Sequence, residues 1–319
     1  MVKASFDDSG PSSVSHGILE GDCLHHLGVL ARAGERFDLI YVDPPFNAGG
    51  ERKARLSAGQ ERASGTPAYR DHFGGIDAFL EMLEPRLEAM RVCLSKEGSL
   101  WLHLGHQAVH EAKVVADRVF GRAAFRGEVI WVPGNGGRRR GGPSVTHQTL
   151  LIYCRSAKMI WNGDEPTLRE PYADTSLRMH FKSVDDTGRR FRERVIGGKA
   201  YRYYAAEGRR IGSVWTDCPA MKANTPLTSE TTGYPTQKPE ALLERIILAA
   251  SHPHSRVLDP MCGSGTTAAV ASRLGRRVIG IDQSPVACAI ARTRLAAVLG
   301  PPNQANSAGT ALDSGAASY

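Results

Sequence analysis

The chain has 319 residues, 41% apolar and 23% charged, with a formal charge of +7. That length can bury a full core, as one large α/β domain or a domain with an added module. No apolar run approaches the roughly 20 residues that a membrane span needs, and residues 1–8 lack an apolar signal core, so no secretory peptide is expected. The positive excess is uneven: residues 134–230 hold 17 Lys and Arg against 10 Asp and Glu, and the remainder balances at 23 of each. A phosphate-binding module produces such a pattern; so does a solvated basic face. Six cysteines (Cys23, Cys93, Cys154, Cys218, Cys262, Cys288) are scattered, with no C-x-x-C pair. This argues against a zinc knuckle or a disulfide scaffold and fits a reducing cytoplasm.

In chain order, 1–15 reads as a loose tail, 16–22 as a short strand and 23–33 as a helix. Residues 37–42 form a buried strand by their apolar, β-branched content. Residues 47–75 show little periodicity. A loop of that length inside a compact domain is functional or disordered, and its place in the chain makes it a candidate lid. Apolar spacing predicts a helix over 76–94, through Phe79, Leu80, Leu83, Leu87, Met90 and Val92. A strand at 98–104, a helix at 110–120 and strands at 128–132 and 149–153 follow. Between the last two lies a glycine-rich basic stretch containing Arg138, Arg139 and Arg140. Residues 160–230 read as irregular and basic, with interleaved aromatics that suit a small packed module better than stacking on bases. An amphipathic helix at 239–250 leads to strand 256–258, helix 266–274, strand 277–281 and helix 285–299, a right-handed parallel unit. Residues 300–319, rich in small residues, are expected to be disordered.

Two segments carry the chemistry. The first is Asp259-Pro260-Met261-Cys262-Gly263-Ser264-Gly265-Thr266-Thr267, between a strand and a helix. Small residues there let backbone approach a ligand, and the helix start adds free N–H groups. An acidic residue about 20 positions on, at the end of the next strand, can bind both ribose hydroxyls; Asp282 meets that requirement. The third glycine of a dinucleotide site is absent, since Thr267 and Ala268 follow Gly265. A nucleoside cofactor without a pyrophosphate, such as S-adenosylmethionine, is therefore expected.

The second segment is Asp43-Pro44-Pro45-Phe46, directly after the buried strand 37–42. An exocyclic amine is a poor nucleophile because its lone pair is delocalised into the ring. Oxygens that accept its two protons favour a tetrahedral nitrogen and stabilise the developing positive charge. Asp43 supplies a carboxylate and Pro44 a carbonyl. Consecutive prolines fix the backbone so that both point one way. Phe46 offers a ring face to an extruded base. His103, His106 and His110 straddle a strand end and a helix, and no metal site is expected from them.

These residues resemble the amino-methyltransferases of DNA, in the group whose D/S-P-P-Y/F/W motif precedes the recognition region and the cofactor motif. Tyr234-Pro235-Thr236-Gln237-Lys238-Pro239 is similar to that family's H-P-T-Q-K-P segment. The resemblance implies that Thr236, Gln237 and Lys238 sit near the methionine end of S-adenosylmethionine, and that Gly21-Asp22 contacts its adenine. It also implies a seven-stranded, mostly parallel Rossmann-like α/β sheet with one antiparallel strand. The catalytic half would span 16–133 and the cofactor half 233–299. A target-recognition region at 134–232 would lie between them, lending strand 149–155 to the sheet. Met261 stands where the family often has Phe, Phe46 where it often has Tyr, and Tyr234 where it has His. The expected activity is methylation of adenine N6 in a flipped-out base of double-stranded DNA, with Arg138, Arg139 and Arg140 gripping phosphate. Cytosine N4 is the near alternative and an idle DNA-binding protein the remoter one. Family members often dimerise. Any restriction endonuclease partner would be a separate protein, because no G-x-x-x-x-G-K-[ST] loop occurs.

Overall fold

The structure, a computed structural model, describes residues 16–45, 74–134, 141–221 and 230–300 and the backbone of 51–53 and 67–70. Phe46 and Arg138–Arg140 lie outside the described residues, as do most of 47–75 and all of 1–15 and 301–319. Within 47–75, Glu51–Lys53 pairs antiparallel with Pro67–Arg70.

Eight strands form the central sheet: β1 (His16–Glu20), β2 (Phe37–Val42), β3 (Leu94–Leu104), β4 (Phe125–Trp131), β5 (Gln148–Cys154), β6 (Val214–Trp215), β7 (Arg256–Asp259) and β8 (Arg277–Asp282). Their spatial order is β1-β8-β7-β2-β3-β5-β4-β6. Every pairing is parallel except the two made by β5. The single reversed strand of the expected fold is therefore present. The sheet has one strand more than the seven expected, because β6 adds Val214 beside Ile130 and Trp215 beside Trp131 at one edge. Two residues are too few for a periodic signal, so this strand was hidden in a stretch read as irregular.

Helices cover both faces: α1 (Cys23–Arg32), α2 (Ile76–Cys93) and α3 (Val109–Phe120) on one, α5 (Glu240–Ala250), α6 (Thr266–Arg273) and α7 (Pro285–Leu299) on the other, with the short α4 (Asp174–His180) in an inserted lobe. Alternation along the strands assigns side chains to layers. In β2 and β3, Ile40, Val42, Leu100 and Leu102 pack with Leu27, Leu83 and Leu87. Their neighbours Leu39, Tyr41 and Trp101 pack with Leu242, Ile246 and Val270. A parallel sheet buried on both faces reads as a continuous apolar run, which is why FDLIYV was legible as a strand. Ile40 is fully buried. Ile40→Val should therefore lower unfolding stability by about 0.5–1.5 kcal/mol, read as a shifted urea midpoint at constant m-value.

The lobe is a three-stranded antiparallel sheet of Ser183–Val184, Arg190–Ile196 and Lys199–Tyr204. Tyr172, Phe181 and Phe191 are buried at its base, and the Tyr172 and Phe181 rings lie 4.5 Å apart. Tyr172, Phe181 and Phe191 thus pack a small module of the kind expected, while Trp161 and Tyr201 are exposed. Trp215 belongs instead to the main core, 6.2 Å from Trp101.

Candidate active site

In an open α/β sheet, ligands bind beyond the carboxyl ends of parallel strands. β1, β8, β7 and β2 are consecutive and parallel, so their ends bring together Asp22, Asp282, Asp259 and Asp43. These residues are up to 260 positions apart in the chain. They line one cavity of 290 Å³, with Pro44, Thr236, Lys238 and the loop from Pro260 to Ser264.

The glycine loop is pinned at several points. The Cys262 amide donates to the Ile281 carbonyl at 2.9 Å and the Gly265 amide to Cys262 at 2.8 Å. Gly265 has φ +76°, and a Cβ there would lie 2.6 Å from the Ala291 Cβ. Only glycine lets α6 begin so close to α7. Arg294 braces the outside, donating to the Ser264 carbonyl at 3.2 Å and the Thr266 hydroxyl at 3.0 Å while pairing with Glu240 at 2.8 Å. The Asp282 carboxylate accepts from the amides of Gly263 (2.9 Å) and Ser284 (2.8 Å). It ties the loop to the start of α7.

Asp259 is completely buried. Burial pushes its carboxyl up to about 7, reinforced by the charges of Asp43 and Asp282 and offset in part by the Thr267 hydroxyl and the Met261 amide. Between about pH 4 and 7 the folded chain holds a proton that the unfolded chain releases. The contribution is therefore fully present below the unfolded value and is lost as pH rises through about 7. Asp259→Asn should flatten that part of the stability–pH curve, measured by urea unfolding across the window. An unchanged slope would remove Asp259 as its source.

Asp43 forms an ion pair with Lys238, whose side chain is 9% exposed against 18% for Asp43. Beneath it, the hydroxyl of Tyr41 and Nδ1 of His103 are hydrogen-bonded at 2.8 Å. Burial holds the His103 ring neutral, with its pKa well below the usual histidine range, and nearby Lys238 pushes the same way. His103 is thus a core group, whereas His106 and His110 are exposed. Among the described residues no group of three His, Cys, Asp or Glu converges on a metal position.

Two motif residues have side-chain partners that the sequence did not suggest. Gln237 lines the cavity, yet its amide donates to the Glu230 carbonyl at 2.6 Å and accepts from Thr232 at 3.0 and 2.7 Å, closing its own loop. Asp22 caps α1 by accepting from the Leu24 amide at 2.6 Å and pairs with Arg86 at 2.8 Å. Arg86, Met82 and Tyr41 also line the cavity. The first two lie on α2, where no sequence signal set them apart from an ordinary helix face.

The sheet order, its single reversed strand and the glycine loop beside Asp43 are those of a Rossmann-like methyltransferase. The family model for N6/N4 DNA methylases matches residues 37–293, and the chain belongs to that family of DNA amino-methyltransferases. It is 29% identical to the type II methyltransferase M.EcaI of Enterobacter cloacae, over 85% of this chain and 67% of that one. It is 27% identical to the DNA adenine methyltransferase YhdJ of Escherichia coli K12, over 83% and 77%. In fold it is similar to the cytosine-N4-specific PvuII DNA methyltransferase, with TM-score 0.55, 14% identity and coverage of 89% and 87%. It is also similar to M1.HpyAVI solved with SAM, with TM-score 0.50, 18% identity and coverage of 87% and 98%. No described helix is long and apolar enough to cross a membrane.

Proposed function

We propose that the chain transfers a methyl group from S-adenosylmethionine to the exocyclic N6 of adenine in duplex DNA, on a base turned out of the stack. The observation that carries this reading is the placement of Asp43 and Pro44 on the wall of the same cavity as the glycine loop. That cavity fits the cofactor. Its charged lining is Asp22, Asp43, Asp259, Asp282, Arg86 and Lys238; two of the acids pair with the two bases. Asp282, joined by Asp259 as pH rises through about 7, leaves the site acidic, as suits a ligand carrying a sulfonium and an ammonium. Asp282 would hold the ribose, Asp22 the adenine, and the backbone of Gly263–Gly265 would make room for both. Thr236, Pro260, Met261, Cys262, Ser264, Thr266 and Thr267 complete the walls or support them. When bound, S-adenosylmethionine supplies a methyl group already activated on sulfur.

The chain's own part is to hold the amine. The Asp43 carboxylate and the Pro44 carbonyl accept its two protons and stabilise the charge that develops on nitrogen. Pro45 stiffens the turn, and Phe46 would offer its ring to the extruded base. Adenine is favoured over cytosine by the likeness to YhdJ, a DNA adenine methyltransferase.

Target recognition is assigned to 134–232. Arg138, Arg139 and Arg140 would contact phosphate. The hairpin of Arg190–Ile196 and Lys199–Tyr204 adds a second surface. Gly197 and Gly198, at φ +57° and +77°, make its two-residue turn, and residues 193–202 are exposed. Strand alternation puts Arg194, Ile196, Lys199 and Tyr201 on one exposed face, where Arg192 packs back over Tyr172 and Phe181, while Glu193 is paired with Arg202 on the other. A two-stranded ribbon with one basic face fits the major groove.

Expressing the chain in a host without DNA methylation and sequencing the genome by a modification-sensitive method tests the reading. N6-methyladenine at one short sequence is expected. N4-methylcytosine would keep the chemistry and change the base; an unmodified genome would oppose both.

A further inference from the structure

We infer that Lys238 is a positioning residue for Asp43 in methyl transfer rather than a ligand of the cofactor's methionine end; this rests on the function proposed above. Lys238 is one of only two cations lining the cavity among the described residues. The other, Arg86, is held by Asp22, the Met82 carbonyl and Cys23 on the far side of the site. Lys238 instead meets the Asp43 carboxylate. Both partners are largely buried, where a charge pair is screened little and is set by local structure.

Everything around Lys238 fixes where its ammonium goes. Gln237 ties the preceding loop to Glu230 and Thr232, and Thr236 turns the chain with φ +60°. Pro239 follows as the N-cap of α5. A flexible four-carbon side chain is thereby anchored within reach of the Asp43 carboxylate. The consequence concerns direction. A carboxylate at a strand end can rotate about its own bonds. An ammonium on one oxygen restricts that rotation, and with it the direction in which the second oxygen accepts. An amine whose protons must be received along defined lines needs that direction, because acceptors act in proportion to their alignment in the transition state.

The two roles of Lys238 separate in kinetics. A ligand of the cofactor supplies affinity; a positioning residue supplies rate at saturation. The test compares wild type, Lys238→Met, Lys238→Arg, Asp43→Asn and the Lys238→Met/Asp43→Asn double variant. S-adenosylmethionine affinity is measured by calorimetry, and single-turnover methylation of unmethylated plasmid DNA at saturating cofactor is measured beside it. Melting temperature monitors the fold. Lys238→Met should bind S-adenosylmethionine within about threefold of wild type and lose about 100-fold in the saturated rate, the scale of a misdirected transition-state contact. Lys238→Arg should recover part of that rate. The double variant should fall little below Asp43→Asn alone, because the two residues act as a unit. Affinity lowered tenfold or more in Lys238→Met with an unchanged saturated rate would overturn the inference. So would independent, multiplicative losses in the double variant. If wild type methylates no DNA base, the proposed function falls; the coupling of the two residues in melting temperature then decides the pairing, with additive shifts overturning it.

Discussion

Asp43→Asn should lower the saturated methylation rate by about 10²–10³-fold, the usual loss when one pre-aligned transition-state group is removed, with S-adenosylmethionine affinity held within a few-fold. The substitution keeps the shape of the side chain. It removes the negative charge that faces the nitrogen as positive charge builds there, and replaces one acceptor by a donor. Asp43→Ala should be at least as inactive and also less stable. Removing one partner of a largely buried ion pair is destabilising, and Lys238, the partner that stays, is 9% exposed. Single-turnover kinetics beside calorimetric titration separate the two effects. A rate within tenfold of wild type in Asp43→Asn would remove the carboxylate from the chemistry.

Gly265→Ala should cripple cofactor binding through the backbone alone. Gly265 has φ +76°, and a left-handed conformation costs an L-residue about 1–2 kcal/mol. The new Cβ would also sit 2.6 Å from the Ala291 Cβ and 2.8 Å from its Cα. Ala291 is a buried residue of α7, so relief requires a helix or the loop itself to shift. Overpacking of this kind adds about 1–3 kcal/mol. The expected result is a large fall in melting temperature and a cofactor affinity lowered by about 100-fold, since about 2.7 kcal/mol of distortion corresponds to that ratio. Calorimetry and thermal unfolding read both. Retained affinity would show that the loop does not approach the cofactor.

Much of this site was legible in the sequence because its chemistry is local. The strand–turn–helix around Gly263–Gly265 and the strand before Asp43 carry their own signals in apolar runs, glycine and proline. The closing helix α7 was placed with the same limits it has in the structure, Pro285–Leu299; Pro285 at its first turn and Gly300 after its end mark both boundaries. What stayed hidden depends on residues meeting across the fold. Asp43 and Lys238 are 195 positions apart, and no spacing rule links a strand end to a loop that precedes a different strand. The motif resemblance placed Lys238 at the cofactor; the structure pairs it with the catalytic candidate. Gln237 lines the cavity, and its donors and acceptors also close the loop that carries Lys238. Arg86 and Met82 reach the cavity because α2 packs against α1. β6 was missed because two residues carry no period, and the lobe's strands because their exposed residues are largely charged and give no apolar alternation.

Methyl transfer can be followed directly with S-adenosylmethionine carrying a trideuteromethyl group. Unmethylated plasmid DNA is incubated with the protein, digested to nucleosides and read by mass spectrometry. Label on an exocyclic amine, as N6-methyladenine, is the expected result. Label on a ring carbon, as in 5-methylcytosine, or DNA without label, would contradict it.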